Sequence, residues 1–138
     1  MKTLAELREY FKGDLFAEML GISIDEAGGG RAVCSVDILP EHCNALGRAQ
    51  GGFIFTLADF AFAVAANSEG NPTVTLNSTI HFLRVHKGNR LIATVEPIHS
   101  GRRTCVYQVT VTDNTGLQVA AASVSGCRGM EIPPAKGI

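Results

Sequence analysis

Gly51-Gly-Phe-Ile-Phe-Thr-Leu-Ala-Asp-Phe-Ala-Phe-Ala-Val-Ala-Ala66 decides how this chain folds. The run is apolar on every side at helical spacing, and it carries one charged side chain, Asp59. It is shorter than the ~20 residues that cross a bilayer and holds an acid, so it reads as a core helix rather than a membrane span. A helix without a polar face has to be covered on more than one side. A carboxylate taken into such surroundings costs several kcal/mol, roughly, unless it is paired, hydrogen-bonded or protonated. Asp59 therefore calls for an explanation.

Working outward, the segments on either side supply the cover. Before the helix, Ile22 to Asp25 and Arg31 to Leu39 flank Ala27-Gly-Gly-Gly30, with Ala32, Cys34, Val36 and Ile38 alternating, which predicts a β-hairpin. After it come four runs rich in Val, Thr and Ile, about 73–83, 90–100, 103–112 and 118–128, separated by short turn-forming breaks. At the N-terminus, Leu4, Leu7, Phe11, Leu15, Phe16 and Leu20 predict one amphipathic helix over about 3–20, with Thr3 as its cap and Gly21 just past its end. Hairpin-linked strands imply an antiparallel sheet. The expected architecture is α+β: one domain over 1–138, with about six strands curling around a long central helix at about 51–66. Such a helix has more surface than six strands cover, so a second copy of the chain is expected to cover the remainder.

Composition narrows the function classes. A chain of 138 residues with 46% hydrophobic residues has enough material for a single core. Twelve Lys and Arg against thirteen Asp and Glu give a net charge of −1, with no basic surplus for a nucleic-acid backbone. Cys34, Cys43, Cys105 and Cys127 form no C-x-x-C pair, and the four histidines fall at no metal-ligand spacing, so reduced thiols and no metal are expected. Acids in the first ten residues argue against a signal peptide, and the expected location is cytoplasmic.

Gly51 and Gly52 sit where a helix begins. Backbone N–H groups there lack intrahelical acceptors, the helix dipole adds positive character, and glycine lets a ligand approach closely. Such a site holds an oxyanion. Asp59 lies eight residues on, about 12 Å by helical rise, too far for both to touch one atom within a single chain unless the glycines precede the helix proper. In a two-fold dimer the Gly51 end of one chain could face Asp59 of the other. A carboxylate acting as base or nucleophile opposite N–H donors suits attack on an acyl carbonyl, and a thioester fits best because a thiolate leaves without a strong acid.

The segment His42-Cys-Asn-Ala-Leu-Gly-Arg-Ala-Gln-Gly-Gly-Phe-Ile-Phe-Thr-Leu-Ala-Asp59, with its continuation to Asn67 and the later Asn77-Ser-Thr-Ile-His-Phe-Leu-Arg84, resembles the hot-dog-fold acyl-CoA thioesterases of the phenylacetic-acid-degradation type. The resemblance implies a hot-dog fold, hydrolysis of an aryl- or medium-chain acyl-CoA to the free acid and coenzyme A, no cofactor beyond the coenzyme A of the substrate, and a dimer with shared active sites, assembled further into a tetramer. It implies Asp59 as the reacting carboxylate, Gly51 as the oxyanion donor beside Gly52, Asn44 as a polar group ordering the site, and Thr75 as a hydroxyl that positions water from the partner subunit's side. The family has histidine before the two glycines; here Gln50 stands there, able to donate a hydrogen bond but not to titrate near neutral pH. Arg84, Arg102 and Arg103 are candidates for the coenzyme A phosphates, since arginine meets phosphate bidentately. Two alternatives stay open at this point: an acyl-CoA-binding module without turnover, and a buried helix serving only as dimer glue. Phe53, Phe55, Phe60, Phe62 and Phe82 are candidates either for an acyl pocket or for core.

Overall fold

The computed structural model describes residues 1–133 and Ala135; the last residues of the expected 1–138 domain lie outside the described residues. In chain order the elements are α1 (Leu4–Phe11), α2 (Leu15–Leu20), β1 (Ser23–Gly28), β2 (Arg31–Asp37), α3 (Gly51–Asn67), β3 (Thr73–Phe82), β4 (Arg90–Ser100), β5 (Thr104–Asp113) and β6 (Gln118–Arg128). The strands form one six-stranded sheet in the order β1-β2-β4-β5-β6-β3. Every pairing is antiparallel. The chain leaves β2, passes through α3 to the far edge of the sheet as β3, and returns to the middle with β4. As a result α3 touches all six strands. This is the hot-dog arrangement: one sheet curled around one helix.

The core lies between α3 and the inward side chains of the sheet. Cys105, Tyr107, Val109 and Val111 alternate along β5 and are fully buried, matching Leu57, Ala61, Val64 and Ala65 of α3. Phe62 meets Tyr107 edge-on, with ring centroids 5.5 Å apart. Phe53, Phe60 and Phe62 belong to this core, whereas Phe55 and Phe82 remain exposed. At the far end of α3, Arg128 is buried without a carboxylate: its guanidinium donates to the Ala66 carbonyl, to the hydroxyls of Thr73 and Ser100, and to the phenol oxygen of Tyr107. A cation there opposes the negative end of the helix dipole.

One expectation needs correction. The single N-terminal helix is two helices. Thr3 caps α1 with a full capping box, as expected, but the helix stops at Phe11, and Asp14 starts α2 by accepting from the Ala17 N–H at 3.0 Å. The apolar period runs on through the break although Leu15 and Phe16 of α2 are exposed, so the pattern hides it. The sheet does not cover α3 all round, in keeping with a helix that has more surface than six strands cover. Gly52, Phe55, Thr56, Asp59 and Ala63, three to four residues apart, form a stripe that the sheet leaves partly open. Asp59 lies on this stripe, half-buried, rather than in the core.

Strand β3 is an edge strand with a bulge between Thr75 and Asn77. Successive strand residues face opposite sides, so Thr75 and Phe82, seven positions apart, would point away from one another in a regular strand. The bulge adds one residue and turns both toward α3.

Candidate active site

Gln50 is the N-cap of α3. Its side-chain oxygen accepts from the backbone N–H groups of Gly52 and Phe53, at 2.5 and 3.2 Å. Two donors fix the orientation of the amide, because only the oxygen can accept, and this leaves the Nε2 hydrogens of Gln50 to meet a ligand. Among the described residues the Gly51 N–H has no acceptor. The free donors of this helix end are therefore the Gly51 N–H and the Gln50 amide, whereas the Gly52 N–H is engaged by the cap. Phe82 closes over the same spot. A Cβ built on Gly51 would lie 3.4 Å from its ring, at van der Waals contact, so glycine keeps the narrow space between ring and backbone open.

The loop before α3 is held from several sides. Asn44 accepts from the N–H groups of Leu46 and Arg48, at 2.9 and 3.2 Å, and its own N–H donates to the Arg48 carbonyl. The side chain thus orders the loop that delivers Gln50 and Gly51, and it lies within that loop rather than beside Asp59. His86 Nε2 accepts from the Ala49 N–H at 3.0 Å, which puts the proton on Nδ1, facing the Gly88 carbonyl at 2.8 Å. His42 stacks on Phe53 with centroids 4.2 Å apart. Both histidines are structural anchors of the Gly51 end. Among the described residues no three His, Cys, Asp or Glu side chains converge as a metal site would need.

Asp59 sits two turns further along the same unbroken helix. Since α3 begins at Gly51, the glycines do not precede the helix, and one chain does not bring Gly51 and Asp59 together. The structure does bring Asp59 and Thr75 together: the Thr75 hydroxyl donates to the carboxylate at 3.2 Å within the same chain. Burial pushes the Asp59 carboxyl above its ordinary value; the Thr75 hydrogen bond opposes the rise and the Asp14 carboxylate adds to it. No salt bridge engages Asp59 among the described residues. A half-buried carboxylate with a raised proton affinity, one hydroxyl partner and an open side is equipped to take a proton from water.

The three arginines do not form one patch. Arg84 follows β3 at the Gly51 end and donates to the Gln118 carbonyl at 3.1 Å. Arg102 and Arg103 lie in the β4–β5 turn at the other end of the sheet, where the Arg103 carbonyl accepts from the Arg128 N–H. Sequence reasoning missed three residues that shape the site. Phe82 stands among five candidate aromatics with nothing to single it out, His86 is one of four histidines noted only for lacking a metal-ligand spacing, and Asp14 falls inside the single helix expected over about 3–20. A polar residue directly before an apolar helical period was the available signal for Asp14.

A sequence model of the thioesterase superfamily matches residues 46–120. The acyl-coenzyme A thioesterase PaaI of Escherichia coli is 36% identical over 111 residues, which cover 80% of this chain and 79% of that protein. The solved structure of the E. coli PaaI protein from the phenylacetic acid degradation operon superposes with a TM-score of 0.83 at 33% identity, over 87% of this chain and 88% of that one. A thioesterase of Streptococcus pneumoniae solved with coenzyme A gives a TM-score of 0.81 at 29% identity, over 90% and 98% of the two chains. Two further structures of a thioesterase from that organism carry alanine in place of an aspartate and of a threonine, at the sixteen-residue separation that Asp59 and Thr75 have here. The family match spans the helix start, the carboxylate, β3, β4, β5 and the first residues of β6, and together with the likeness in structure it is sufficient: the chain belongs to the thioesterase superfamily, as a hot-dog thioester hydrolase of the PaaI-like type.

Proposed function

We propose that this enzyme hydrolyses acyl-CoA thioesters in a site shared by two subunits, with Asp59 of one chain facing Gly51 of its partner. The observation that carries the reading is the uncovered stripe of α3. Among the described residues it holds the one carboxylate with a raised proton affinity and no ion partner, and it runs beside a free edge strand on which Leu76 and Phe82 are exposed, as is Leu83 just past its end. Pairing of two such stripes about a two-fold axis covers this apolar surface and closes the 12 Å gap that one helix leaves, roughly, between Gly51 and Asp59. Further pairing of such dimers into a tetramer, and residence in the cytoplasm, belong to the same reading.

In the reaction, Asp59 takes a proton from water as the water oxygen bonds to the thioester carbonyl carbon. The negative charge that develops on the carbonyl oxygen meets the Gly51 N–H and the Gln50 amide at the positive end of α3. Collapse of the tetrahedral species breaks the C–S bond; the proton held by Asp59 passes to the departing thiolate, leaving carboxylic acid and coenzyme A. Thr75 holds one carboxylate oxygen so that the other faces the water. Arg84, Arg102 and Arg103 are assigned to the coenzyme A phosphates, with Arg84 from one chain and the turn arginines reached from elsewhere in the assembly. Asp59→Asn tests the assignment on a panel of aryl- and acyl-CoA thioesters: kcat falls by about 10²- to 10⁴-fold, and equal rates in the two proteins would overturn it.

A further inference from the structure

A groove of about 960 Å³ lies between α1, the α3–β3 seam and the segment that follows β6. Its walls are Tyr10 and Phe11, Ala63, Val74, and Met130 and Ile132. Ala63 lies one helical turn beyond Asp59 on the same uncovered stripe, and Val74 immediately precedes Thr75. The groove thus opens about 5.4 Å past the carboxylate–hydroxyl pair and continues along α3 to Asn67, about 12 Å from Asp59 by helical rise. The cavity beside Arg8, Lys12, Glu18 and Asp25 is ringed by charges instead.

We propose that this groove receives the acyl group of the substrate, and that it is built for an unbranched aliphatic chain rather than a hydroxylated ring. The proposal rests on the placement of the reacting carbonyl beside Asp59. Ala63 keeps its part of the stripe open, since a bulky side chain at that point would project into the groove. The polar groups at the inner end are already engaged. Asn67 donates to the carbonyls of Ala63 and Thr73, at 2.7 and 3.4 Å, and accepts from the Thr73 N–H at 2.9 Å. The Thr73 hydroxyl donates to the Asn71 carbonyl at 3.1 Å and accepts from Arg128 at 3.3 Å. Tyr10 and Glu131, both exposed, belong to the lining as well. A methylene chain loses no hydrogen bond on entering such a groove, whereas a ring hydroxyl brought to its inner end leaves water for polar groups that already have partners. The volume lies at the upper end of the ~300–1,000 Å³ of small-molecule pockets, more than a short acyl group fills.

The test blocks the groove from either wall and reads chain-length selectivity. Wild type, Ala63→Phe and Val74→Phe, each checked for folding by circular dichroism, are assayed on butyryl-CoA and decanoyl-CoA. The wild type favours decanoyl-CoA, and in a plugged variant the ratio of kcat/KM for decanoyl-CoA over butyryl-CoA falls by about tenfold or more. Calorimetry in an Asp59→Asn background reads binding without turnover: decanoyl-CoA binds more tightly than butyryl-CoA, and adding Ala63→Phe removes the difference. If the wild type hydrolyses neither thioester, the hydrolase reading fails, and the calorimetry still decides the groove. An unchanged chain-length ratio in both plugged variants, equal affinity for the two thioesters, or a preference for 4-hydroxybenzoyl-CoA over benzoyl-CoA overturns the proposal.

Discussion

Thr75→Val removes the hydroxyl that donates to Asp59 at 3.2 Å and keeps the shape of the side chain. A hydrogen bond to a charged acceptor contributes about 1.5–3 kcal/mol when both groups are well shielded. Thr75 is exposed and Asp59 half-buried, and 3.2 Å is at the long end of the range, so about half of that is expected here. The bond favours the ionised carboxylate against a burial effect that raises its proton affinity. Losing it raises the proton affinity further, and at acid pH a smaller fraction of the enzyme carries a competent base. With 1.36 kcal/mol per tenfold, the variant should show about three- to tenfold lower kcat/KM on the acid limb of its pH profile, with a smaller deficit on the alkaline plateau, where Asp59 is ionised in both proteins. Stopped assays of one thioester between pH 4.5 and 9 measure this. A deficit of the same size at every pH, or one that grows toward alkaline pH, would refute the reasoning.

Gln50→Ala removes the cap of α3 and should cost about 1 kcal/mol of stability. Gln50→Glu keeps an acceptor for the Gly52 and Phe53 N–H groups but brings negative charge to the oxyanion, so the thermal midpoint should hold while kcat/KM falls by about two orders of magnitude. Asp113, 1% exposed, is held well below the ordinary carboxylate value, chiefly by the Thr115 hydroxyl and then by the N–H groups of Gly88, Lys87 and Thr115. Its contribution to stability is present above pH ~4 and lost as pH falls below that. Asp113→Ala should therefore lower the midpoint of thermal unfolding at pH 7 and flatten the acid dependence of stability. Burial pushes the Cys34 thiol up to about 12, so iodoacetamide at pH 8 should label Cys43 in the folded protein and reach Cys34 only after unfolding.

Much of this architecture is legible because two periods dominate the sequence. The apolar run from Phe53 to Ala66 announces a covered helix, and the alternation through Cys105, Tyr107, Val109 and Val111 announces a strand with one inward face. What stays hidden is whatever the periods do not encode. Phe55 and Ala63 are as apolar as their neighbours, so nothing in composition says that they, with Asp59, lie on the one stripe the sheet leaves open. The orientation of the Gln50 amide follows from which N–H groups it meets, and residue identity does not carry that. Spacing along the chain places Arg84, Arg102 and Arg103 within twenty residues of one another, yet the length of β4 carries the last two to the opposite end of the sheet.

The bulge in β3 has a consequence for how this enzyme can vary. It sets the reading frame between the hydroxyl that meets the carboxylate and the ring that leans on Gly51. Straightening the bulge at the present length would turn one of them outward, whereas losing the extra residue together with the bulge would leave them six positions apart in a regular strand and still on one face. Substitutions along this edge can accumulate singly, but the bulge and the residue count of β3 can change only together. Descendants of this sequence should therefore either keep both the bulge and the length of β3 or lose one residue along with the bulge.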